Sequence, residues 1–342
     1  MSSSIFSSEV LRSWWRRPAA EKRRALLGAA LLVAIVPIAH GLAAAVDEAL
    51  LPYSSLAPYV LAREALTEST EVVFAGSSHF LLGIRPDLFS FDAMSVVGPG
   101  WDYRTLEAAV RANLDRTPNL RLAVVELDLF PLRIDTPFVQ RGRCRTLRVW
   151  GIGPEEVPCS DTDLDAGPFG AWAEILVPSP RLTPWAIWEI VKPRFVGPVE
   201  GRTPIAGHRR VEAVGDPERH GPRRVAWLRD RFGARYVEHN RAALERLVGL
   251  LVARGVEVVL LRMPHQESFT GSVPAAWSEQ LDEVVAGLRE ASGRELPVWD
   301  YEDAPGFAPT DFMDSVHLNA AGVEKLAGLL ERRIGELPAS PY

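Results

Sequence analysis

Two short stretches of this chain hold the residue types that make a serine reactive. "VVFAGSSHF", Val72 to Phe80, runs an apolar segment straight into Gly76, Ser77, Ser78 and His79. Far downstream, "DFMDSVHLNAAG" sets Asp314 and His317 three residues apart. A serine hydroxyl is a poor nucleophile at neutral pH until an imidazole takes its proton, and the imidazole needs a carboxylate to fix its tautomer. Ser78 as nucleophile, His317 as base and Asp314 as orienting acid would meet that need, and the chemistry would be acyl transfer through a covalent acyl-serine. Taken alone, each half also has an ordinary reading: Gly-Ser-Ser as a polar turn, Asp-x-x-His as a capping turn.

Other side chains invite the same question. His79 adjoins Ser78, but a turn at this point aims its ring elsewhere, so it reads as a wall of the pocket. His265 in "RMPHQESF" follows a strand and reads first as a structural or surface residue, with lining of the same cleft as the alternative. His208, His220 and His239 lack a ligand spacing, and neither a metal nor a cofactor is expected. "DTDLDAG", Asp161 to Gly167, begins like a calcium-binding loop, yet its sixth and twelfth positions are Ala166 and Trp172, where Gly and Glu are required. It reads as an acidic turn.

The elements that must position these residues follow from hydrophobic patterning. From Glu71 onward, short apolar runs alternate with helical patterns, the signature of a parallel sheet covered by helices. Strands are expected at Val72 to Ala75, Ala93 to Val97, Leu122 to Leu129, Val256 to Met263 and Pro297 to Tyr301, and helices at Thr105 to Asp115, Tyr236 to Arg254, Pro274 to Ala291 and Ala320 to Ile334, the last with Asn319 as N-cap. This predicts an α/β domain at 71–336, a flavodoxin-like doubly wound parallel sheet of about five strands. In such sheets ligands bind at the carboxyl ends of the strands, near the point where strand order reverses. Gly76, Ser77 and Ser78 stand at such an end.

Between the third strand and the later elements, about 131–221 is too long for a structureless loop and carries amphipathic segments of its own, so it reads as an inserted cap. Its basic run Arg141 to Arg148 is either a solvated face or a surface for an anionic polymer, and Trp172, Trp185 and Trp188 are spaced as a helical core or as sugar-stacking rings. Cys144 and Cys159 form neither a metal nor a redox motif, and would be free to pair in an oxidising compartment.

The N-terminal region departs from a soluble pattern. Ala25 to Val46 holds no Asp, Glu, Lys or Arg, and as a helix it would span roughly 33 Å, enough for a hydrocarbon core of about 30 Å. Arg12, Arg16, Arg17, Lys22, Arg23 and Arg24 precede it, and Asp47 and Glu48 follow. The positive-inside rule then makes 1–24 a cytoplasmic tail, 25–46 a transmembrane signal-anchor and 47–70 a linker to an extracytoplasmic domain, with 337–342 a short tail. A cleaved signal peptide ending near Ala43 to Ala45, or a buried core helix, are the competing readings. The tail carries +4 of a chain whose net charge is −6, leaving −10 for the rest. So acidic a remainder speaks against nucleic-acid binding, which needs a concentrated basic surface.

"GSSH" after the first strand, with "DSVH" before the last helix, resembles the SGNH (GDSL-like) hydrolase superfamily over about 71–334 apart from the insertion. Within it, the chain looks closest to the membrane-anchored proteins that assist polysaccharide O-acetylation and to the D-alanine transfer protein of teichoic acid synthesis. The resemblance implies Ser78 as nucleophile, His317 as base, Asp314 as its partner, and the backbone N–H groups of Ser78 and of Gly98 or Gly100 as oxyanion donors. It also implies an acyl-ester enzyme, a polysaccharide acceptor and a membrane-bound acyltransferase that delivers the acyl group. The chain departs from the family pattern after the third strand: "VELDLFPLR" has no Asn where the family carries one. That departure keeps two alternatives open, an acetyl-esterase and a catalytically degenerate glycan-binding scaffold.

Overall fold

The computed structural model describes residues 57–139, 145–153, 155–158 and 217–337, with a few positions between 18 and 27. The expected anchor at 25–46 lies almost wholly outside them, as do most of the cap, both cysteines, His208, the Asp161 turn and Trp172, Trp185 and Trp188. Among the described residues no helix is long and apolar enough to cross a membrane.

Five parallel strands form one sheet: β1 (Val72–Gly76), β2 (Ala93–Val97), β3 (Leu122–Glu126), β4 (Glu257–Arg262) and β5 (Val298–Asp300), in the order β2-β1-β3-β4-β5. Register places Val72 beside both Ala93 and Leu122, and Leu122 beside Glu257. β1 and β3 are buried along their whole length, as expected where helices cover both faces. Strand periodicity assigns alternate residues to opposite layers. Val73, Ala75, Ala123, Val125, Val258 and Leu260 join one core, built with the helices Tyr103–Asn113, Val237–Ala253 and Ala275–Ser292. Val72, Phe74, Leu122, Val124, Val259 and Leu261 face the other, closed by the helix Ala320–Gly335 through Val323, Leu326 and Leu330.

The chain leaves β1, pairs β2 on one side, then crosses to place β3 on the other side of β1. Strand order therefore reverses between β1 and β3, whose carboxyl ends carry Ser77 and Ser78 on one side and Asp128 on the other. The largest difference from the expected boundaries is in β3. β3 ends at Glu126 rather than Leu129, because the Asp128 side chain accepts the Phe130 N–H at 2.8 Å and caps a short helix, Leu129–Arg133. The insertion returns to the core in the helix Pro217–Arg231, whose Val225 and Leu228 pack with Phe130, Phe269 and Val316 beside the carboxyl ends of the strands.

Candidate active site

Gly76 ends β1 because its neighbours leave no room for a side chain. A Cβ there would collide with the Glu126 carboxylate and lie 2.6 Å from Phe80 Cγ. Ser77 then turns the chain. Its N–H and hydroxyl both donate to Glu126, the hydroxyl at 2.7 Å. This leaves Ser78 as the first residue of the short helix Ser78–Gly83, where a backbone N–H has no intrahelical acceptor.

The other half comes from the loop before the last helix. Phe312 and Leu318 form an isolated antiparallel bridge, and Met313 N–H donates to the His317 carbonyl at 2.9 Å, folding the Asp-Ser-Val-His segment into a tight turn. Asp314 Oδ1 accepts the N–H groups of Val316 and His317, each at 2.9 Å. Its Oδ2 lies 2.8 Å from His317 Nδ1. Gln266 N–H donates to the Ser315 carbonyl at 3.0 Å, tying the turn to the segment after β4. Asn319 caps the helix behind it, accepting from Ala321 and Gly322, as the sequence predicts.

These constraints bring His317 Nε2 to 3.1 Å from Ser78 Oγ. A carboxylate can only accept, so His317 Nδ1 is the donor to Asp314, and in the neutral ring Nε2 is then the acceptor for the serine hydroxyl. Burial lowers the His317 pKa, as does the nearby His79; the hydrogen bond to Asp314 opposes this only in part, and the result is about 4. Burial by itself raises the Asp314 pKa, but the contacts with His317 and Arg224 outweigh it and hold the carboxyl well below its usual range. The base is thus neutral and its partner ionised at neutral pH, as abstraction of a serine proton requires.

Behind this line lies a second polar cluster, and here the structure corrects the sequence reading. His79 is not a wall of an open cleft, and His265 is buried with it. Both are buried, at 1% and 7% relative exposure, because each is drawn against carboxylates. His79 Nδ1 sits 3.2 Å from Asp128 Oδ2 and 3.3 Å from Glu126 Oε1. His265 Nε2 reaches the same Asp128 oxygen at 3.2 Å, and its Nδ1 lies 3.4 Å from Glu302 Oε1. Burial alone would lower the His79 pKa, yet Asp128, with help from Glu126, overrides it and pushes the value up to about 10.

His79, Asp128 and His265 each place one nitrogen or oxygen within 4.8 Å of the others. Donors on one tetrahedral zinc, at metal-ligand lengths of roughly 2.1 Å, would sit only about 3.4 Å apart. The two imidazole nitrogens each lie close to that separation, 3.2 Å from one Asp128 oxygen, but this is also hydrogen-bond length, and the group closes on itself as ion pairs, so it reads as a charge cluster.

The remaining expectations concern the oxyanion. Gly98 N–H already donates to the Gly76 carbonyl at 3.4 Å, extending the β1–β2 pairing, so its role as a free donor is weakened. Gly100 adopts φ +63°, a conformation glycine takes without penalty, and its carbonyl accepts from the Thr136 hydroxyl at 3.3 Å. Where the resemblance calls for an Asn after the third strand, the end of β3 presents Glu126 and Asp128, two acceptors.

Glu126, Asp128, Glu302 and Arg224 escaped the sequence reading. Glu126 and Asp128 had a signal, two acids interrupting an apolar run at the end of a strand. Arg224 had none; it arrives on the helix Pro217–Arg231, with its guanidinium 3.9 Å from Asp314 Oδ2 and 5.4 Å from the centre of the Phe130 ring.

No family model matches the chain, and no curated protein does. Among solved structures, it is similar to a protein described as an acylhydrolase from Bacteroides fragilis, at 13% identity and a TM-score of 0.38 over 80% of this chain and 94% of that one. It is also similar to a GDSL-like lipase from Bacteroides thetaiotaomicron, at 10% identity and a TM-score of 0.39 over 83% of this chain and 98% of that one. The functional reading rests on the geometry of the residues above.

Proposed function

We propose that the protein is a serine acyl-ester enzyme working through an acyl-Ser78 intermediate. The observation that carries this reading is the continuous line from Ser78 Oγ through His317 to Asp314, with contacts of 3.1 and 2.8 Å. His317 Nε2 takes the Ser78 proton as Oγ attacks the ester carbonyl. The tetrahedral intermediate collapses, the ester C–O bond breaks, and the proton on His317 passes to the departing alcohol. An incoming hydroxyl then gives its proton to His317 and takes the acyl group from Ser78, whose Oγ recovers the proton from His317 as its bond to the acyl carbon breaks. Asp314 stays ionised throughout and steadies the imidazolium.

The incoming hydroxyl decides between two activities. We favour transfer of an acetyl group to a cell-envelope or secreted polysaccharide, on the far side of a membrane in which 25–46 is the anchor, with a membrane-bound acyltransferase supplying acetyl groups from the cytoplasm. The uncharged segment at 25–46 and its basic flank support that placement. With water as acceptor the same site is an acetyl-esterase. Purified enzyme given an acetyl ester and an oligosaccharide should yield acetylated sugar with wild type and none with Ser78→Ala; acetate release without sugar acetylation would make it an esterase.

A second reading draws on the Gly98 N–H spent on Gly76 and on Asp128 where a donor would be expected. In that reading the domain binds glycan without turning it over. Equal polysaccharide acetylation in cells carrying wild type and Ser78→Ala would favour it.

A further inference from the structure

His79 is the residue next to Ser78, yet the reaction above does not use it, and its setting is too specific for packing alone. Its ring stands edge-on to His317, with centroids 5.1 Å apart at 73°. The far nitrogen, Nε2, is buried and has no hydrogen-bond partner among the described residues. The near nitrogen, Nδ1, faces two carboxylates at 3.2 and 3.3 Å. An imidazole that only filled space would not need two acids, and two acids buried beside one another need a cation between them. The acids are themselves fixed. Asp128 caps the helix after β3, Glu126 is held by Ser77, and the Tyr103 hydroxyl binds the backbone of both, donating to the Glu126 carbonyl at 3.0 Å and accepting the Asp128 N–H at 3.1 Å.

We infer that His79 is a positioning residue, an imidazolium clamped by Asp128 and Glu126, whose fixed positive charge beside His317 keeps that base unprotonated and ready for Ser78. The inference rests on the proposed serine chemistry. Among the described residues, the charged and titratable groups facing His317 are Asp314 on its own turn, Arg224 from the helix Pro217–Arg231, and His79 after β1. Those facing His79 are Asp128 and Glu126 at the end of β3, His265 after β4 and His317. Asp314 favours a proton on His317; Arg224 and His79 oppose it. In a site this buried the opposition is poorly screened by water or salt. Removing the charge of His79 leaves Asp128 paired with His265 alone and takes one positive charge from beside the base, so His317 must bind its proton at higher pH.

The test is the rate at which a fluorophosphonate labels Ser78 in the full-length protein between pH 4 and 8, for wild type and His79→Gln, a neutral side chain that can still hydrogen-bond Asp128. The acid limb should move up by at least one pH unit in the variant, so that a rate nearly flat from pH 7 to 5 in wild type falls about twofold or more over that interval. Coincident limbs, with or without a uniformly lower rate, would overturn the inference. The ring nitrogen resonances of wild type, labelled with nitrogen-15 histidine, test it without any variant: His79 should stay doubly protonated at pH 7 while His317 is neutral. A neutral His79 at pH 7 would also overturn it. Absence of labelling in the wild type would instead count against the serine nucleophile, and the resonances would still decide the charge of His79.

Discussion

His317 Nε2 lies 3.1 Å from Ser78 Oγ, across 239 positions of sequence. The contact is made by two turns on separate elements, one pinned by Glu126 and the other by the Asp314 carboxylate's two backbone hydrogen bonds. Each turn is held by its own set of side-chain to backbone hydrogen bonds. The pair is therefore set before substrate arrives, which is the arrangement that makes positioned proton transfer effective.

Removing the base should cost far more than it disturbs. His317→Ala leaves the fold in place, because the Asp314 turn keeps its backbone bonds, but reactivity of Ser78 should fall by about 10² to 10⁴. Labelling kinetics alongside circular dichroism would check both halves.

Asp314→Asn tests the tautomer. An amide presents a donor as well as an acceptor, so His317 can flip its proton to Nε2 and lose the lone pair that faces Ser78. Such a change in serine triads costs on the order of 10⁴ in turnover. A loss under tenfold in acyl-transfer rate would mean that Asp314 does not set the tautomer.

The wild-type pH dependence follows from a His317 pKa of about 4. The base works only when neutral, so reactivity should hold steady from neutral pH down to about 5 and drop near 4. A limb near the ordinary histidine value of about 6.5 would show that burial and His79 do not depress it. The same depression has a stability consequence. The unfolded chain takes up a proton on His317 below about 6.5 while the folded one resists until about 4, so this residue lowers stability as pH falls through that window.

Gly76→Ala probes the end of β1. The added methyl meets Phe80 and Glu126, and overpacking of this kind costs about 1 to 3 kcal/mol. Urea unfolding should register the loss, and Ser78 labelling should slow as the turn moves.

Much of the scaffold was legible because parallel strands buried on both faces are near-continuous apolar runs. Val72 to Ala75, Leu122 onward and Val256 to Met263 announce themselves, and the alternation with helices fixes the class. Ser78, His317 and Asp314 were legible for a different reason: they sit at element ends, where chemistry is expected and glycine or a capping Asn marks the turn. The pairing of His79 with Asp128 was not, because a residue's partners across a sheet depend on register and strand order, which no local pattern encodes. "VELDL" reads as one strand until Asp128 is seen to cap the next helix, and Arg224 reads as one of many arginines until its helix is placed against Asp314.

The most direct test of the central claim is the intact mass of the protein after exposure to a fluorophosphonate, with Ser78→Ala and His317→Ala treated in parallel. A single adduct on wild type, mapped to Ser78 and lost or greatly slowed in both variants, is the predicted result. A folded wild-type protein that takes up no adduct, or one labelled equally well in His317→Ala, would contradict it.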